Sequence, residues 1–486
     1  MKKNTLGNGF PTAGALLAVA LFSGLAGCMT NPTTGDRQFN LMSMDQEIQM
    51  GREADAQIIQ SMGLYPDESL QDYVSGIGLA MGTDSEWSDL PWTFRVVDEE
   101  TVNAFALPGG HIYVTRGILA HFNSEAQLAG VLGHEIGHVT ARHASTRISK
   151  MQVAQLGVGL AVALDPELQR IAPLAGAATQ LLFLSFSRTD ENESDELGVR
   201  YMADAGYDPA ALIGVMEMLG RISDTGDGAR LPQWQATHPY PENRRENIRE
   251  HIRDLEPQEY RSDDRDDYLD RIDGIVYGSD PREGYSRDGV FYHPELRFSL
   301  DFPRNWTVIN QKQAVIAVSE ERDASVQLSI SREPSIDAAA RELYAIEQVA
   351  GDGITHTRIN GLPAGTGTFR AQSEQGEIEG SVAFIKYDER IYQLIGYSGT
   401  ESWPTHRETV NDSLHSFAAL TDRDAIDVEP TRLDVARVDK TVPLRRFYSS
   451  YYEGSTPPVP IEQIALINQL EVESRVHAGA RVKMVR

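Results

Sequence analysis

Cysteine is almost missing: Cys28 is the single one in 486 residues. An intramolecular disulfide is therefore excluded, and any bound transition metal must be held by His, Asp or Glu. Positive charge is scarce as well, with 44 Lys and Arg against 71 Asp and Glu and a formal net charge of −27. That balance argues against nucleic acid as a partner and against docking on anionic lipid through a basic patch. Long hydrophobic runs are lacking. The apolar stretch from Ala13 to Leu25 is too short to cross a bilayer as a helix. The longest uncharged stretch after it, Ile171 to Ser187, is closed by Arg170 and Arg188. Together with Met151–Leu164 it reads as a pair of buried or lid-like helices, or else as a re-entrant membrane contact.

Against this background one segment stands out, His134-Glu135-Ile136-Gly137-His138. Residues four apart share a helix face, so both imidazoles can point at one Zn²⁺. Glu135, one position round from His134, is placed to take a proton from a water there. Ser124-Glu125-Ala126-Gln127 has the form of a capping box, and Leu128, Val131, Leu132, Ile136 and Val139 give the helix an apolar side. Gly130, Gly133 and Gly137 each cost roughly 1 kcal/mol of helix stability against Ala. They make sense where another backbone or a substrate comes close. The alternative is a plain core helix.

A third ligand from a second helix would leave the fourth position open, the mark of a catalytic zinc site. Glu191 and Asp195 are four apart in a helix-forming run, so the first can ligate zinc while the second orients an imidazole. Glu193 and Glu196 compete for the ligand role, and a solvated acidic helix start would explain all four. The spacing to Asp195 favours Glu191.

Upstream, Phe94–Val97 reads as a strand, and the apolar runs flanking Pro108-Gly109-Gly110 as a β-hairpin. An exposed edge strand there would hold an extended peptide by main-chain hydrogen bonds. Asn103, Ala104, Phe105, Gly109 and Gly110 are the substrate-binding candidates.

Residues 1–27 read as a secretory signal: Lys2 and Lys3, the apolar stretch, then the lipobox Leu25-Ala26-Gly27-Cys28. Similarity to bacterial lipoproteins makes Cys28 an acylated residue, with Met29 after it implying the outer membrane of a Gram-negative bacterium. The expected fold is multidomain. A tether at 28–44 leads into a mainly α, zincin-like metalloprotease domain at 45–255 with a small edge hairpin. A charged linker at 256–284, whose run 256–280 reads as linker or solvated helix, follows, then an α+β accessory domain at 285–420 and a small segment at 428–486. Leu296–Phe302 alternates as a half-buried strand should, with further strands at Ala314–Val318, Ser325–Ile330, Gly365–Arg370, Ser381–Lys386 and Arg390–Tyr397. Helices are expected at Ile336–Ile346 and Pro404–Phe417. The accessory domain is somewhat similar to PsbP-like and Mog-type folds. The order of elements in the last segment resembles LysM, which would imply peptidoglycan contact, although Asp439-Lys440-Thr441 replaces the usual Gly-Asp-Thr opening.

Asn31-Pro32-Thr33-Thr34-Gly35, the Asn103–Gly110 segment, the His134–His138 helix, Glu191 with Asp195, and Thr237-His238-Pro239 with Arg244 together resemble peptidase family M48. That group includes HtpX-like, Oma-type, CAAX prenyl and BepA-like proteases. The resemblance implies one Zn²⁺ per chain on His134, His138 and Glu191, with Glu135 as general base. It places His238 near the metal, either filling the open position and keeping the enzyme latent or, protonated, stabilising an oxyanion. Arg244 matches the family's arginine six residues further on. The implied activity is endoproteolysis of unfolded or misassembled envelope proteins in the periplasm. The rival is an envelope assembly factor or chaperone with latent protease activity.

Overall fold

The computed structural model describes residues 28–486 apart from 32, 36, 153–184, 226–233, 235–236, 239–242, 262–264 and 374–375. The expected signal segment and nearly all of the expected helix pair at Met151–Leu164 and Ile171–Ser187 lie outside the described residues. Among the described residues, no helix is long and apolar enough to cross a membrane.

A short hairpin opens the described chain, β1 (Cys28–Thr30) against β2 (Arg37–Phe39). Asn31 Nδ2 and Thr33 Oγ1 each donate to the Thr140 carbonyl at 3.2 Å, and Gln38 Nε2 donates to Ala141 O at 2.9 Å. Carbonyls at a helix C-terminus have no partner within the helix. The segment expected as a tether is therefore a cap, closing the end of the motif helix. Two capped helices follow: α1 (Met44–Met62), where Ser43 and Gln46 form a capping box, and α2 (Glu68–Gly82), capped by Asp67.

Next comes a three-stranded sheet of β3 (Thr93–Val97), β4 (Ala104–Leu107) and β5 (His111–Thr115). Its order is β3-β5-β4, with β5 parallel to β3 and antiparallel to β4. The expected hairpin is present and β4 is an edge. Gly109, at φ +82°, turns the chain where a side chain would strike the α1 backbone, 2.8 Å from Ile48 Cα. Helix α3 (Arg116–His121) leads to the motif helix α4 (Glu125–Thr140), whose Ser124 hydroxyl accepts from Gln127 N. Every residue of α4 from Ala126 to Thr140 is buried. The apolar side read from the sequence thus understates its burial: α4 is the central helix, and each polar residue on it needs a buried partner.

Helix α5 (Arg188–Asp204) crosses α4 with backbone almost touching backbone. A Cβ on Gly198 would meet His134 N at 2.9 Å, and one on Gly137 would meet Ser194 O at 2.9 Å. The glycines of the motif helix bring the second ligand-bearing helix close, which offsets their cost to helix stability. Gly198→Ala is accordingly expected to destabilise the fold by about 1–3 kcal/mol through overpacking. Gly76→Ala, at a helical site with nothing within 4 Å, should be neutral or slightly stabilising. Thermal denaturation of both variants checks this, and equal melting temperatures would contradict the close approach.

The domain continues through α6 (Ala210–Thr225), α7 (Arg244–Arg253) and α8 (Arg265–Ile272). Helix α8 corrects the expectation of a charged linker or solvated helix: the run does hold a helix, but one face of it is buried. Tyr268, Leu269 and Ile272 are fully buried in the core shared with α4, and Tyr268 donates its hydroxyl hydrogen to Leu119 O at 2.7 Å. Its acids and arginines are the outer face of an amphipathic helix.

Residues 285–419 form a unit with hydrophobic clusters of its own. An eight-stranded antiparallel sheet and a four-stranded one carry helices Ile336–Tyr344 and Trp403–Ser416. The first packs on Val382 and Phe384, the second with Ala383 and Ile385, so alternating residues bury opposite faces. The chain then returns to where it left. Val276 bridges Arg432, and Tyr277 N donates to Thr431 O. The last segment pairs Leu433–Arg437 with Arg481–Val485 around helices Leu444–Tyr451 and Ile461–Ile467. Its apolar residues join the protease core itself. Lys483, fully buried, donates to Ala120 O and Phe122 O at 2.8 and 2.7 Å. Residues 428–486 complete the protease domain, and the accessory domain is inserted within it.

Candidate metal centre and peptide cleft

Helices α4 and α5, brought together by their glycines, point His134, His138 and Glu191 at one place. Ligand atoms of His134, His138, Glu191 and His238 all lie within 4.8 Å of one another, and all four residues are buried. His134 Nε2 is 3.0 Å from His138 Nε2 and 3.3 Å from His238 Nδ1. Glu191 Oε1 is 3.0 Å from His238 Nδ1 and 3.4 Å from His138 Nε2. Two donors about 2.1 Å from a tetrahedral ion stand roughly 3.4 Å apart, so the set fits a small divalent cation.

Charge points the same way. Three buried carboxylates, Glu135, Glu191 and Asp195, face one guanidinium, Arg244. Among the described residues, both oxygens of Glu135 are buried with no hydrogen-bond partner. A carboxylate so placed needs positive charge beside it, which a divalent ion at the adjacent donors would supply. Burial pushes the His138 imidazole well below its ordinary value, keeping it neutral as a ligand must be. Burial alone would raise the Glu191 carboxyl, yet His238 and Arg244 hold it well below the usual carboxylate range. Asp195 is likewise held low by Arg244 against its burial. His238 is shifted the other way: burial would lower it, but Glu191 and Glu135 raise it.

Around the donors sits a second layer. Asp195 Oδ1 is 2.9 Å from His134 Nδ1, and Arg244 grips Asp195 through Nε at 2.6 Å and Nη2 at 2.8 Å. Arg244 Nη1 also pairs with Glu191 Oε2 at 2.8 Å. One guanidinium thus ties the third ligand to the carboxylate that orients the first. His238 is held by Trp234, whose ring stacks on it at 4.6 Å, and its Nε2 lies 3.6 Å from Glu135 Oε1. Trp234 also lies under the Arg244 guanidinium. Of the competing acids, Glu193 turns to His143 at 2.9 Å and Glu196 is exposed.

The peptide-binding expectations divide. Edge strand β4 runs beside α4, and a small pocket between them is lined by Ala106, Leu107, Pro108, His138, Val139, Arg142 and Phe186. Ala104 packs in the core cluster that contains α4. Phe105 does not face the site: its ring stacks on Tyr113 at 4.8 Å and is buried with Ala54 and Ile58 of α1. Strand alternation puts Phe105 and Leu107 on one face and Ala104 and Ala106 on the other. Gly109 and Gly110 are corrected likewise, since they pack against α1 and Trp92. Asn103 is buried at the start of β4 with Oδ1 unpartnered. The sequence reading missed Phe186, which stacks on His138 at 4.1 Å, and also Trp234, His143 and Arg142. Nothing local marks the two aromatics, since distant chain segments bring them in. Arg142 takes φ 57° and buries an ion pair with Glu47.

Residues 68–252 match Peptidase family M48, which takes in every donor and partner above that α4 to α7 supply. The chain is 30% identical over 249 residues to the beta-barrel assembly-enhancing protease of Escherichia coli (strain K12), covering 49% of this chain and 50% of that protein. It is 32% identical over 241 residues to the mitochondrial metalloendopeptidase OMA1 of Schizosaccharomyces pombe, covering 48% of this chain and 68% of that one. To the OMA1 of Arabidopsis thaliana it is 38% identical over 161 residues, 33% of this chain and 31% of that one. The chain spans about half the length of the beta-barrel assembly-enhancing proteases it matches.

Proposed function

The chain belongs to peptidase family M48, and on that premise we propose that it is a zinc-dependent endopeptidase of the bacterial envelope, cutting unfolded or misassembled proteins. The observation that carries this reading is the convergence of His134, His138 and Glu191 beside the unpartnered carboxylate of Glu135. Zn²⁺ at these donors would activate water and polarise the scissile carbonyl. Glu135 takes the proton of the attacking water and hands it to the leaving amine. Asp195 fixes the tautomer and angle of His134, and Arg244 fixes Asp195. The free edge of β4 holds the substrate extended, its main chain pairing with that strand. The lipobox at Cys28 supports anchoring at the outer membrane, with the catalytic domain in the periplasm. The last segment enters this reading as part of the protease core, not as a glycan-binding module.

His238 adds a fourth donor to the set, and a metal held by four protein ligands has no place for water. This supports latency: with all four residues holding the ion the site would be closed, and His238 would have to move for cleavage. His238→Ala is expected to retain zinc and to cleave an unfolded β-barrel protein several-fold faster than wild type. An oxyanion-stabilising role predicts instead a loss of roughly 10²–10³-fold, so the sign of the change separates the two. The wider test is cleavage by the full chain before and after chelation. Activity should vanish with the chelator and return with zinc; cleavage indifferent to chelation ends the metalloprotease reading. The closed donor set also favours a second role as an assembly factor. A Glu135→Gln chain that still promoted β-barrel assembly in cells would support that role.

A further inference from the structure

The two histidines of the motif helix are not held in the same way. His134 presents Nδ1 directly to a buried carboxylate, Asp195. Among the described residues, no acid lies at the Nδ1 of His138. Its neighbour there is His143 Nδ1, at 3.0 Å, on a residue only 4% exposed. The other nitrogen of His143, Nε2, is 2.9 Å from Glu193 Oε2 on α5, near the rim of the site.

Resting on the metal reading above, we propose that His143 is a positioning residue for the metal ligand His138, relaying the Glu193 carboxylate to it through a second imidazole. The protons can be placed by elimination. His138 Nε2 faces the other donors, so for metal binding its hydrogen sits on Nδ1. That N–H donates to His143 Nδ1, which must carry the lone pair. The hydrogen of His143 is then on Nε2 and donates to Glu193, a carboxylate that only accepts. Ser194 Oγ, 3.2 Å from His143 Nδ1, is a hydroxyl that donates or accepts and so leaves the assignment to the two imidazoles. The reverse tautomer would put a hydrogen on His138 Nε2, where the metal belongs. His143 therefore fixes both the tautomer and the ring plane of His138, as Asp195 does for His134.

The test is zinc affinity of the full-length apo-protein, measured by competition with a chromogenic chelator, with circular dichroism to confirm folding. His143→Ala should bind zinc roughly 10–100-fold more weakly. His143→Asn, which keeps an acceptor near the position of Nδ1, should stay within about threefold of wild type. His143→Gln, whose head group reaches instead toward the position of Nε2, should resemble the alanine variant. Ser194→Ala leaves the two imidazoles in place and should also stay within about threefold. If wild type binds zinc and His143→Ala binds it equally well, the relay is overturned. The same holds if Gln rescues and Asn does not. Wild type failing to bind zinc would overturn the metal site itself, a distinct result.

Discussion

Glu135→Gln is expected to lose roughly 10²–10⁴-fold in cleavage rate, the range for removing a positioned general base, while binding zinc as tightly as wild type. The expectation follows from where the carboxylate lies. Glu135 is fully buried on α4, one residue from His134, yet its oxygens are absent from the group of converging ligand atoms. Among the described residues, both oxygens lack hydrogen-bond partners, and the nearest cationic candidate, His238 Nε2, is 3.6 Å away. A glutamine of the same size fills the same space and cannot take a proton. Replacing a buried charge by a neutral amide also lightens a desolvation cost, so thermal stability should hold or rise. Three readouts belong together: metal content, melting temperature and cleavage of an unfolded substrate. A variant that cuts at the wild-type rate removes Glu135 from the mechanism. One that loses its metal would make Glu135 a ligand.

Much of this site is written in local spacing. The i,i+4 pairs His134/His138 and Glu191/Asp195 need only a helix to share a face, and the structure supplies one for each. The motif glycines signalled a close approach, found at Gly198 and Ser194. His238 and Arg244 were legible only through resemblance, because partners 47 to 110 residues away bring them in. His143 was overlooked although it follows the motif closely, since its role depends on Glu193 of a different helix. Phe105 lies away from the site for a simpler reason: strand alternation turns it, with Leu107, to the face opposite Ala104 and Ala106. The charged composition of 256–284 hid an apolar stripe, Tyr268, Leu269 and Ile272, that packs into the core. Strands Tyr285–Arg287, Val290–His293, Thr307–Asn310 and Ile354–Ile359 were not anticipated. All but Val290–His293 lack any residue buried inside the strand other than a terminal one, so alternation gives them no clear mark.

Ending the chain at Asp427 is expected to unfold the protease domain, although the cut falls far in sequence from every candidate site residue. Leu433, Leu444, Ile464, Ile467, Val482, Met484 and Val485 are fully buried in the cluster that contains Leu128, Val131, Leu132 and Ile136 of the motif helix. At about 1.5–3 kcal/mol for each fully buried aliphatic side chain, their removal costs about 10–20 kcal/mol, as much as or more than the roughly 5–15 kcal/mol by which native proteins are stable. Polar damage adds to it. Without Lys483 and Gln469, the carbonyls of Ala120, Phe122 and His121 lose their donors just ahead of the motif helix. The accessory domain makes the opposite prediction. Its clusters draw only on residues between 291 and 417, and Val276 and Arg432 are already paired across the gap it leaves. Replacing residues 280–428 by a short Gly/Ser linker should therefore preserve cooperative unfolding, zinc binding and peptide cleavage. The two deletions are compared by thermal denaturation and limited proteolysis. A chain ending at Asp427 that melts cooperatively near the wild-type temperature would show that the last segment is an appendage after all, and that α4 is held without it.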